Sequence, residues 1–157
     1  HILSRCSDPK LNQEQDVTHL TVGYVQSGKT LSFTALTALA ADNGYRIVIY
    51  LAGTKNNLLS QTTKRLTKDL ITSSSLNNAY KIFENPTESK ILEIRNKLRL
   101  SSKPTVLITL LKHYEMFLRF FFFKAHQLSL VLVYFMCGPR QFFQCGPGKP
   151  KYWTSLF

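Results

Sequence analysis

The stretch HLTVGYVQSGKTLSF, residues 19–33, constrains the fold more than any other part of the chain. Inside it GYVQSGKT, Gly23 to Thr30, fits G-x-x-x-x-G-K-[ST]. His19 to Gly23 reads as a short apolar strand. Lys29 to Asp42 reads as a helix, with Phe33, Leu36, Leu39 and Ala40 facing inward at helical spacing. Strand, glycine-rich loop and helix in that order form a cradle for phosphates. Gly23 permits the tight turn, and Gly28 lets the backbone come close to the ligand. The N–H groups of about Gln26 to Thr30 then gather at the positive end of the helix. Lys29 would reach the outer phosphates, and the Thr30 hydroxyl would hold magnesium. The bland alternative is a glycine-rich turn matching by chance. The strand before it and the helix after it weigh against that.

The next elements follow the same alternation. Asn43-Gly44 stops the first helix, since Gly takes the left-handed conformation readily. RIVIYLA, Arg46 to Ala52, is a run of branched apolar residues that suits a strand buried on both faces. A helix is expected from about Asn57 to Leu70, with Leu58, Leu59, Thr62, Leu66 and Leu70 inward. SSSLNN, 73–78, reads as a loop, and Tyr80 to Phe83 as a short strand. Asn85-Pro86-Thr87-Glu88 has the pattern of a helix start with Asn85 as cap. That helix would run through Ile91, Leu92, Ile94 and Leu98 to about Leu100. TVLITL, 105–110, is a further strand, and LKHYEMF the beginning of a helix. Such alternation predicts right-handed crossovers onto a mainly parallel sheet.

The 157 residues suffice for one domain. A composition 44% hydrophobic supports a buried core, and a net charge of +11 points to an acidic partner, nucleic acid first. A solvated basic surface accounts for the charge equally well. The chain begins at His1, as a tagged chain or a piece of a longer one would, and no secretory signal opens it. Cys6, Cys137 and Cys145 are too few and too widely spaced for a disulfide framework or a zinc site. A reducing cytoplasm is the expected location. All nine acidic residues lie at or before Glu115. The chain therefore divides into a polar segment 1–16, a body 17–115 and an apolar, basic tail 116–157.

VGYVQSGKT, then AADNGYRIVIYLAG, then NNLLSQTTKRL, resembles the Z-one domain of predicted restriction endonucleases, relatives of superfamily-two helicases. The resemblance is close over about Thr18 to Leu66 and weaker to about Glu115, where KPTVLITLLKHYE sits like the next strand and helix. It implies an α/β, RecA-like P-loop NTPase fold of three layers with a mainly parallel sheet, incomplete at its C-terminal end. It implies an ATP-binding module of a DNA-acting hydrolase, with ATP and magnesium as cofactors. DNA and other domains of the parent chain are the implied partners. Gly23, Ser27, Gly28, Lys29 and Thr30 carry over as phosphate and magnesium contacts, and Gln26 as a motif residue without an assigned role. Asn57, Gln61 and Arg65 fall where helicase-like folds touch the nucleic-acid backbone. A solvated helix face explains each of those three more simply.

The family pattern then requires a strand ending in acids, of the kind DDEAD, and this chain has none. LSLVLVYFM, 128–136, has the hydrophobicity of that strand, but Cys137-Gly138-Pro139 follows it. Asp42 and Asp69 stand near helix ends, too early in the chain, and Glu115 falls on an expected helix. No catalytic residue is assigned, and the chain alone is expected to be inactive. The acid-free tail reads as sequence foreign to the family, as after a change of reading frame, and its apolar run as aggregation-prone when exposed. Arg119, Lys124 and His126 interrupt the apolar stretch, so a membrane span is not expected. His19, His113 and His126 lack acidic or cysteine partners at useful spacing and read as surface or edge residues. Two other readings remain. One is a non-catalytic, basic nucleic-acid-binding piece. The other is a small-molecule P-loop kinase, which would need an acid or an Arg-rich lid soon after the loop helix.

Overall fold

The computed structural model describes residues 3–5, 17–22, 29–72, 79–100, 105–111, 131–137 and 140–145. After a 3-10 turn at Leu3–Arg5 come β1 (Val17–Val22), α1 (Lys29–Asp42), β2 (Ile47–Ala52) and α2 (Asn56–Leu66). A π-helical stretch, Thr67–Thr72, continues α2. Then follow β3 (Tyr80–Glu84), α3 (Glu88–Leu100), β4 (Thr105–Leu111), β5 (Val131–Cys137) and β6 (Arg140–Cys145). The expected helix beginning at LKHYEMF lies outside the described residues.

The strands form one sheet in the order β1-β6-β5-β2-β4-β3. β5, β2, β4 and β3 pair in parallel, and β6 is antiparallel to both β5 and β1. The fold is therefore α/β. Five strands run one way and β6 runs against them. The sequence reading contains no strand at RQFFQC, because its polar ends and Gly-Pro flanks give no sustained alternation. The apolar run before it is β5, paired with β2 on one side and β6 on the other.

Every residue of β2 and β4 is buried, as continuous apolar runs in a parallel sheet require. Alternation sends Val48, Tyr50 and Leu107 to one face. There they pack with Phe33, Leu36 and Ala40 of α1 and with Leu66 and Leu70. α1 and α2 therefore cover the same face, as two right-handed crossovers stepping in one direction must. β3 to β4 steps back, so the same rule takes α3 to the opposite face, where Ile47, Ile49, Val106 and Ile108 are buried.

α1 has the bounds its sequence predicts and ends as expected. Gly44 sits at φ 94°, its N–H donates to the Ala41 carbonyl at 3.1 Å, and the Tyr45 N–H donates to Ala40 at 3.0 Å. This pair of bonds is the Schellman stop. Two inward assignments fail. Leu39 is 54% exposed and Leu58 is 44% exposed. Each precedes a buried residue, Ala40 or Leu59, and one residue is a rotation of ~100° around a helix. The buried stripe of α1 is completed by Thr37 instead.

Two other details differ from expectation. The regular part of the second helix ends at Leu66 rather than Leu70. The hydroxyls of Thr62, Thr63 and Thr67 donate to the carbonyls of Leu58, Leu59 and Thr63 one turn earlier. Such back-bonding competes with the helical ladder and bends it. Asn85 does not cap α3. It has φ 43°, and its N–H donates to the Thr109 carbonyl at 2.7 Å. That bond ties the exit of β3 to β4, and Asn tolerates the left-handed region better than most residues. Thr87 precedes the first helical residue, and its carbonyl accepts from Lys90 N–H at 3.0 Å.

Candidate phosphate-binding edge

β1 and β5 are both antiparallel to β6, so β1 runs in the same direction as β5, β2, β4 and β3. The carboxyl ends of these five strands consequently share one edge of the sheet. Ligands of open α/β sheets collect at that edge. The chain leaves β1 there after Val22 and enters α1 at Lys29. Gly23, Gln26, Ser27 and Gly28 lie outside the described residues. Lys29 and Thr30 are the first two residues of α1, whose first turn contains no acid. The positive end of a 14-residue helix is thus not countered by a carboxylate of its own first turn.

α1 is held to the sheet through Tyr50. The hydroxyls of Thr37 and Tyr50 hydrogen-bond inside the core. The Phe33 ring meets the Tyr50 ring edge-on, centroids 6.3 Å apart. Burial keeps the Tyr50 phenol protonated far above the usual range, although the Thr37 bond acts in the opposite sense.

The second candidate group is on α2. Leu59, Leu66 and Leu70 face the sheet. Ser60 Oγ donates to Glu84 Oε1 at 3.2 Å, and the hydroxyls of Thr63 and Thr109 are 2.9 Å apart. These bonds pin the middle of α2 to the C-terminal halves of β3 and β4. Asn57, Gln61 and Arg65 are exposed, at intervals of four residues. Lys64 and Lys68 are exposed as well, and at ~100° per residue these five cluster on the side opposite the leucines. The fold therefore gathers Asn57, Gln61 and Arg65 on one solvent-facing surface. That surface belongs to a different helix from Lys29 and Thr30.

The described acids stand apart from the exit of β1. Glu88 and Glu93 are on α3, which follows the outermost strand β3 at the other rim of the sheet. Asp42 ends α1, at the far end of that helix from Lys29. Asp69 lies in the π-helical stretch beyond α2. Glu84 ends β3 on the carboxyl edge, but β3 is five strand spacings from β1, ~24 Å at the usual spacing. Glu115 lies outside the described residues. The residue the register sets beside the exit of β1 is Arg140, Cα partner of both Val22 and Cys137. Sequence reasoning missed this residue. A basic residue just after Gly138-Pro139 carries no signal until the pairing of β6 is known.

His19 falls within β1, and His113 and His126 lie outside the described residues. Among the described residues no group of three His, Cys, Asp or Glu could hold a metal ion. No helix among them is long and apolar enough to cross a membrane. No protein-family model matches this chain, and neither a curated protein nor a solved structure does.

Proposed function

We propose that this chain is a nucleotide-binding module of the P-loop type, from a DNA-acting protein like the Z-one restriction endonucleases it resembles. The observation that supports this best is the placement of GYVQSGKT. It joins the carboxyl end of β1 to the first residue of α1, on the edge that five strands share. In this reading the fold is a three-layer RecA-like one and the site of action cytoplasmic. The backbone of Gly23 to Thr30 cradles the phosphates, with Gln26 and Ser27 contributing their N–H groups. Lys29 neutralises the outer phosphates, and the Thr30 hydroxyl is the one residue of the loop offered to magnesium. Magnesium bound with ATP would screen the phosphate charge. DNA and other domains of the parent protein are the partners this reading assigns.

Calorimetric titration of the chain with ATP, beside Lys29→Ala, tests the reading. Binding that disappears or weakens by ~10-fold or more in the variant supports it, since a charge-assisted contact is removed. Equal affinities in the two overturn it.

A second reading has its own support in the α2 surface. Asn57, Gln61, Lys64, Arg65 and Lys68 form a polar, basic stripe. It suits a nucleic-acid backbone whether or not a nucleotide binds. A small-molecule kinase has no comparable support among the described residues.

A further inference from the structure

β3 is the outermost strand, and its residues serve both faces of the sheet. Tyr80 and Ile82 pack against the core that α1 and α2 cover. Alternation sends Lys81 to the opposite face, the face of α3. There Lys90 Nζ donates to Glu93 Oε2 at 3.0 Å, and the Lys90 side chain is still 58% exposed. At ~100° per residue, Lys90, Glu93 and Lys97 fall within ~60° of one another on one flank of α3. The Glu93 carboxyl is held below its usual range, first by the hydrogen bond from Lys90 and then by the charges of Lys90, Lys81 and Lys97. Three exposed lysines from two elements thus surround one glutamate. Three positive charges against one negative leave two in excess, so the carboxylate does not neutralise the surface.

We propose that Lys81, Lys90 and Lys97 form a docking surface for the phosphate backbone of duplex DNA, on the face of the sheet opposite α2. Lys90 and Lys97 are ~10.5 Å apart along α3, about the axial rise of three phosphates on one DNA strand. Flexible lysine stems suit phosphates as point charges, without a fixed angle of approach. Single strands are usually held by stacking bases on aromatic rings. Phe83, the neighbour of Lys81 on this face, is 7% exposed and offers no such platform. Contact is therefore with phosphates alone, and no base sequence is read. The proposal goes beyond the nucleotide reading and does not rest on it, and its surface is separate from the α2 stripe.

The test is fluorescence anisotropy of the full chain with a labelled DNA duplex over a salt series. Lys81→Ala and Lys97→Ala should each weaken binding at low salt and lower the slope of log affinity against log salt by ~0.9. Glu93→Gln removes the competing carboxylate and should tighten binding. Lys55→Ala, at the start of α2, removes the same charge elsewhere and should leave the slope as it was. Should Lys81→Ala fail to fold, judged by circular dichroism, Lys97→Ala and Glu93→Gln decide. An original chain that binds no duplex overturns the proposal. Unchanged slopes in the two lysine variants, an equal fall in Lys55→Ala, or a Glu93→Gln variant that binds no tighter overturns it as well. A slope that falls on a single strand but not on the duplex does the same. None of these outcomes touches the nucleotide reading, which the ATP titration decides separately.

Discussion

The hydroxyl of Thr37, on α1, and the hydroxyl of Tyr50, in the middle of β2, meet in the fully buried core. Thr37 donates its own proton to the Phe33 carbonyl at 2.8 Å. Tyr50 must then be the donor between the two hydroxyls, with Thr37 as its acceptor.

That direction makes the two ends of the bond unequal. Tyr50→Phe removes a donor and leaves the Thr37 bond to Phe33 intact, at a cost of ~1 kcal/mol. Thr37→Val removes both the acceptor of the Tyr50 hydroxyl and the bond to the Phe33 carbonyl, and the loss of two buried hydrogen bonds costs ~1–3 kcal/mol. Urea unfolding of both variants checks the order. A larger loss in Tyr50→Phe would reverse the donor assignment.

The same phenol predicts an alkaline limit. Burial raises the Tyr50 pKa in the folded state. Tyr80 moves the same way, through burial and then the nearby Asp42 charge. An acid whose folded pKa lies above its unfolded value stabilises the fold fully at pH below the unfolded value, about 10 for tyrosine. Stability is then lost as pH rises beyond that, at up to ~1.4 kcal/mol per pH unit for the buried Tyr50 and by less for the more exposed Tyr80. Unfolding free energies should therefore be nearly flat across pH 8–9, as far as these two groups are concerned, and fall above ~10. In Tyr50→Phe the fall should be visibly shallower, and an unchanged slope would show that Tyr50 ionises without unfolding the chain.

How far the sequence carried these conclusions depends on the kind of signal. β2 and β4 were legible because branched apolar runs have one use in an alternating chain. α1 was legible at both ends, by GKT at its start and Asn43-Gly44 at its stop. Leu39 and Leu58 were misread because a leucine next to a buried position is indistinguishable from a buried one until the helix phase is fixed. Asn85 was misread because its cap pattern is local, whereas its N–H is claimed by Thr109, distant in sequence. β6 and the position of Arg140 were not legible at all. Strand order is a long-range property, and a six-residue segment carries no record of its neighbours. For the candidate site, the loop motif was read from sequence, and the sharing of one edge by five strands came only from the topology.

The exposed side of α2 gives a prediction about nucleic acid. Its inner side is fixed by Leu59, Leu66 and the Ser60–Glu84 and Thr63–Thr109 bonds. Replacing outer residues should consequently leave folding intact. If the stripe follows a nucleic-acid backbone, Lys64→Ala and Lys68→Ala should each weaken single-stranded DNA binding at low salt. Each should also lower the slope of log affinity against log salt by ~0.7, the share of one phosphate contact. Fluorescence anisotropy over a salt series measures both quantities. Slopes equal to that of the original chain would identify the stripe as a solvated face.

Hydrolysis is the most demanding expectation, and the sheet order argues against it. Transfer of a γ-phosphoryl group needs an oriented water and charge neutralisation at the leaving oxygens. Lys29 addresses the charge in the proposed reading, yet it neither orients nor activates a water. A carboxylate is the usual agent for that. Asp42 is the last residue of α1 and Asp69 lies in the π-helical stretch after α2, away from the entry to α1. Glu84 shares the edge but ends the outermost strand on the other side, ~24 Å across the sheet, and its carboxylate already accepts from Ser60. Binding without turnover is therefore expected. Phosphate release from the purified chain, with ATP, magnesium and DNA, should match that of Lys29→Ala. Turnover clearly above that control would mean that a carboxylate does reach the exit of β1, and Glu115→Gln would be the first variant to examine for its loss.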